Sequence, residues 1–202
     1  MTDRQFLWGL SNGIIVLAIA GTFWLGYGIG PHLGDAGWVL PAAFTVIVYG
    51  TCGAIVWLAL RLRRRTGFKR SELKQADERQ RAETHKMMVR FLYIFIAQTV
   101  LIALAVPLCL SLGHEDFVGP SIALIVSLHF IPLGRIFHNR TYYFVGIVGG
   151  AISLVAFSPA LGVGRLIFLG VTMGVLLWLS AFYLLWRADA IAAKAIHQRW
   201  SV

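Results

Sequence analysis

Apolar residues fill the chain in six long runs separated by short polar breaks. The runs cover residues 6–29, 38–60, 89–112, 118–138, 142–160 and 165–186, and the fifth is the shortest. A helix that crosses a bilayer needs about 20 mostly apolar residues at a rise of about 1.5 Å each. Each run therefore predicts a spanning helix, and the expected fold is all-α: a single polytopic membrane domain, residues 1–202, built as a bundle of six transmembrane helices. The breaks carry turn chemistry: "GIGPHLGDAG", "LGHEDFVG", "HNRT" and "SPALGVG".

One connection is long, residues 61–88. It opens "RLRRRTGFKR" and continues "SELKQADERQRAETHK". Ser71 followed by mixed charge without an apolar face predicts a capped, solvated helix that runs straight into the third span.

Composition agrees with lipid as the solvent. The chain is 58% hydrophobic and 13% charged, against about 25% charged in an ordinary soluble domain. A net charge of +9 would point to nucleic acid if spread over a soluble surface. Its placement says otherwise. With both termini on one face, that face holds 17 of the 18 Lys and Arg residues, and the other holds Arg165 alone. The positive-inside rule then places both termini and the 61–88 loop in the cytoplasm, with the protein in the cell's inner (plasma) membrane. An odd number of spans would scatter these clusters over both faces. The expected partner is the bilayer, with the 61–70 basic stretch against anionic lipid, and no nucleic acid. Such a stretch is more often a topology signal than a specific site. Trp8, Trp57 and Trp186 fall near inner helix ends, and Trp24 and Trp38 near outer ends, as interfacial anchors. The first run, with Arg4 before it and "AIAG" within it, imitates a signal peptide. The apolar run continues past that point, so it is read as a retained span.

The nine carboxylates all fall in loops or tails. Proton relays and cation pumps generally need an acid inside a span. No HExxH, GxSxG or phosphate-binding glycine loop occurs. No catalytic residues are expected, and an enzyme is the least favoured class. Cys52 and Cys109 sit in apolar runs without ligand spacing, and read as buried free thiols. His32, Asp35, His114, Glu115 and Asp116 form a loop set that could hold a metal, but short polar loops produce such letters often. No metal or other cofactor is expected.

The stretch "SLHFIPLGRIFHNR" places three ionisable side chains at the end of the fourth run. His129 falls about 15 Å down its helix, near the midplane of a core about 30 Å thick. Its neighbours at three and four residues are Ile125, Val126, Pro132 and Leu133, an apolar face, so its hydrogen-bond partner is expected on another helix. Tyr49, Gln98 and Ser153 lie at similar depth and complete a candidate polar layer, with Gln98 or Tyr49 as that partner. The plainer reading is a neutral histidine that ties helices together. Arg135 and His138 reach the inner interface, where long side chains extend to water and a helix C-terminus favours a cation. Pro132 removes the donor for the Leu128 carbonyl. The spacings Gly9-xxx-Gly13, Gly146-xxx-Gly150 and Gly170-xxx-Gly174 predict close helix packing. The two three-helix halves share no alignable pattern.

The "HFIPLGR" string inside a span, with six helices in about 200 residues, resembles small bacterial multi-pass proteins of domain-of-unknown-function type. That resemblance implies the span layout and no activity. Two functions are carried forward: a small-solute transport or channel-like protein with its polar layer at His129, and a non-catalytic bundle that binds or regulates a membrane partner, either a second copy or another membrane protein.

Overall fold

A computed structural model describes residues 3–34, 39–65 and 78–200. Six α-helices account for nearly all of them: α1 Asp3–Ile29, α2 Val39–Arg65, α3 Glu78–Ser111, α4 Val118–Phe137, α5 Arg140–Ala156 and α6 Arg165–Trp200. Short 3-10 turns at Gly30–Leu33, Glu115–Phe117 and Pro159–Gly164 join them. There is no strand among the described residues. Five of the helices are long and apolar enough to cross a membrane. The sixth, α5, has 17 residues, about 26 Å of helix and slightly short of a hydrocarbon core.

The charged segment beginning at Glu78 runs unbroken into the third apolar run, as its pattern predicted. The Ser71 start lies outside the described residues. At the other end α6 continues to Trp200, well past the apolar limit at residue 186. "RADAIAAKAIHQRW" contains neither Gly nor Pro and is rich in Ala, so nothing in it stops a helix.

The chain divides into two compact units, residues 1–74 with 174–202, and residues 75–173. In the first unit α1 packs on α2. The buried positions of α1 recur every three or four residues: Leu10, Ile14, Leu17, Gly21, Trp24 and Gly28. Gly21 brings α1 close to α6. A Cβ there would sit 2.4 Å from the Trp178 ring and 3.0 Å from the Gly174 carbonyl oxygen. The Trp178 indole donates to the Ala18 carbonyl at 3.1 Å. Trp24 is 3% exposed, which corrects its reading as an outer anchor: it falls on the same stripe as Leu17 and Gly21 and is drawn inward. Trp57 and Trp186 are 58% and 71% exposed.

In the second unit α4 and α5 form a close antiparallel hairpin, and α3 packs on α4. The hairpin turn has a local cause. His138 takes the left-handed conformation, φ 49° and ψ 38°, and its N–H closes on the Gly134 carbonyl. Asn139 then caps α5, its side-chain oxygen accepting the Thr141 N–H at 3.1 Å. Across the hairpin a Cβ on Gly146 would lie 3.1 Å from the Ser127 carbonyl oxygen, and one on Gly149 would lie 2.6 Å from Ser127 Oγ. Gly150, paired with Gly146 by the sequence spacing, has nothing within 4 Å of that position.

Candidate functional site

His129 lies half-buried on α4, its ring centroid 4.3 Å from that of Phe130. Its Nδ1 is hydrogen-bonded to the Val126 carbonyl one turn back. A carbonyl can only accept, so Nδ1 carries the hydrogen, and in the neutral ring Nε2 is left with a lone pair. This corrects the expectation of a partner on another helix. The neighbouring side chains are apolar, but a ring can turn back to its own backbone, an option that side-chain spacing does not reveal.

Gln98 approaches the same level from α3. No described side chain of α3 between His85 and Ser111 is buried, but the less exposed positions form a stripe at Ile94, Gln98, Ile102, Ala105 and Cys109. That stripe faces α4, because Cys109 Sγ lies 3.7 Å from Ser121 Oγ. Near the other end of α3, Phe91 and Phe137 make an edge contact at 6.3 Å. These two contacts set an antiparallel register in which Gln98 falls opposite residues 130–132 of α4. Gln98 and His129 are thus within about one helical turn of the same depth.

Ser153 is placed differently. Its hydroxyl donates to the Gly149 carbonyl of its own helix at 2.7 Å. The Gly146 and Gly149 contacts set the α4–α5 register and put Ser153 opposite Ala123, about 9 Å along the helix from His129. The serine nearest His129 is Ser127, which is fully buried with no hydrogen-bond partner for its Oγ. Sequence reasoning passed over it. Tyr49 belongs to the first unit and is 65% exposed. No hydrogen bond among the described residues joins His129, Gln98 and Ser153.

At the C-terminal end of α4 Arg135 and His138 are exposed. Arg135 lies in the last turn of α4, where its charge complements the helix dipole. His138 has a backbone role as the left-handed cap.

A second polar cluster, not singled out from the sequence, lies where the α3–α4 turn meets the start of α6. Arg165 opens α6 and is 7% exposed. Its Nη1 meets Asp116 Oδ2 at 3.3 Å, its Nη2 donates to the Ser158 carbonyl at 3.4 Å, and its guanidinium carbon sits 5.0 Å from the Phe117 ring centroid. Phe117 packs in turn on Phe157 at 5.5 Å. The available signal was charge: Arg165, the one cation that the charge asymmetry sets apart from the other 17, meets an acid of the Glu115–Asp116 pair. Among the described residues no group of three His, Cys, Asp or Glu could hold a metal ion, and Asp35 lies outside them. Both cysteines are free thiols.

No family model, curated protein or solved structure matches this chain.

Proposed function

We propose that the chain is an integral membrane protein with six spans, α5 and its following turn forming the fifth, both termini and the 61–88 loop being cytoplasmic. Its function on this reading is passage of a small solute, with the Gln98–His129 level as its polar step. The observation that carries the reading is that two polar side chains fall within about one helical turn of the same depth across the α3–α4 interface. Turned back to Val126, the His129 ring keeps Nε2 as an acceptor, and the Gln98 amide supplies donors and an acceptor. In a bilayer such groups are costly unless they serve each other or a solute. The candidate spans carry carboxylates only in their end turns, at Glu115, Asp116 and Asp189, so the step suits neutral solutes better than cations.

The test is flux in proteoliposomes. His129→Leu and Gln98→Leu should each abolish uptake of the transported solute while the protein remains folded. Tags at either terminus and near Lys69 should report cytoplasmic, and one at Glu115 should report outside; a terminus found outside rules out six spans.

A second reading has its own support. Between His85 and Ser111 α3 buries none of its described side chains and packs on α4. Such a helix suits a non-catalytic bundle that docks a membrane partner on its apolar surface. Crosslinking through single cysteines along α3 separates this from a purely lipid-facing helix.

A further inference from the structure

We propose that the inner end of α2 binds one anionic phospholipid, whose phosphate is held by the guanidinium of Arg61 stacked on Trp57. This rests on the membrane placement proposed above. The α2 helix is two-faced: Val48, Ile55, Ala59 and Leu62 are buried, so the opposite face, with Gly50, Gly53, Trp57, Arg61 and Arg64, is exposed. On that face Arg61 Cζ lies 5.3 Å from the Trp57 ring centroid. Held over the ring by this cation–π contact, the guanidinium keeps N–H groups with which an arginine can bind a phosphate through two parallel bonds.

Depth and charge select the ligand. A tryptophan toward the end of an apolar run marks the membrane–water interface; α2 continues past Trp57 to Arg65, and Arg61 stands four residues further along, about 6 Å toward the headgroup phosphates. Arg64 adds a second cation one turn beyond on the same face. The sequence of α2 contains no carboxylate, so the helix supplies no counter-charge of its own. A zwitterionic lipid brings its own cation, which Arg61 and Arg64 repel; a phosphatidylglycerol headgroup brings none. Below the clamp, side chains added at Gly50 and Gly53 would meet nothing within 4 Å, which leaves a bare strip for an acyl chain one and two turns from Trp57.

The experiment uses the full chain extracted in mild detergent and rebuilt into nanodiscs. Native mass spectrometry reads retained lipid, and thermal unfolding reads stability in phosphatidylglycerol against phosphatidylcholine. The expected result is retained phosphatidylglycerol and a higher Tm in that lipid. Arg61→Gln should weaken phosphatidylglycerol binding about five-fold, the effect of one basic residue near an anionic surface. Arg61→Lys and Trp57→Leu should fall between, since each keeps the charge but loses the stack. Gly53→Leu should reduce retained lipid with every charge intact. Equal Tm in both lipids, or an Arg61→Gln protein that keeps phosphatidylglycerol like the wild type, overturns the proposal. So does soluble glycerol phosphate if it reproduces the effect, because the ligand is then a free phosphate. A chain that stays soluble without detergent overturns the membrane placement instead, a separate result.

Discussion

Arg165 and Asp116 form an ion pair of unequal exposure. The arginine side chain is 8% exposed and the carboxylate 88%, with 3.3 Å between Nη1 and Oδ2. The cation that stands against the charge asymmetry of the chain is thus neutralised locally, by an acid from the turn between α3 and α4. Breaking a fully buried pair costs about 3–5 kcal/mol and an exposed one about 0–1. Asp116→Asn should fall between, about 1–2 kcal/mol, because water reaches the carboxylate side while Arg165 stays enclosed. Thermal unfolding in detergent checks this, and a Tm equal to wild type would show that the pair contributes nothing.

The glycines should separate by what faces them. A Cβ on Gly174 would lie 2.5 Å from Leu25 Cγ and 3.0 Å from the Gly21 carbonyl oxygen. Gly21→Ala and Gly174→Ala should each cost about 1–3 kcal/mol through forced separation of the helices. Gly150→Ala meets nothing within 4 Å and should gain up to about 1 kcal/mol from helix propensity. Equal effects at Gly150 and Gly174 would contradict the close contact of Gly174 with Leu25 and Gly21.

His138 is a non-glycine residue in the left-handed region, φ 49°. An L-residue pays a steric penalty there that glycine does not. His138→Gly should therefore stabilise the α4–α5 turn by about 1 kcal/mol, read as a raised Tm. A fall in Tm would mean that the imidazole makes a contact worth more than the backbone strain.

His129→Leu should leave the fold nearly unchanged. Val126 belongs to a continuous helix, and its carbonyl retains the ordinary helical donor at Phe130. Losing the side-chain bond should cost under about 1 kcal/mol. Circular dichroism and Tm close to wild type would let any loss of flux be assigned to the polar step. A collapse of the fold would make His129 a structural tie.

The sequence by itself determined where helices lie and which ends are alike in charge. Both follow from sums over many residues: a run of apolar side chains long enough for a bilayer, and a one-sided distribution of Lys and Arg. Such sums tolerate local error: the charged helix leading into the third span was predicted in type and is present from Glu78 on, while the expected start at Ser71 lies outside the described residues. The tertiary structure decided everything that depends on what faces a residue. Trp24 has the chemistry of an anchor but the helical phase of a core position. Gly21 belongs to no glycine pair in the sequence, yet it is the close-approach point because Gly174 lies opposite. Ser153 matched His129 in depth counted along its own helix, and the hairpin register moved it about 9 Å away. Arg165 and Asp116 are separated by two helices in the chain and meet because both lie at the same ends of those helices. Periodicity records the direction of a side chain around its own axis; it does not record which partner that direction meets.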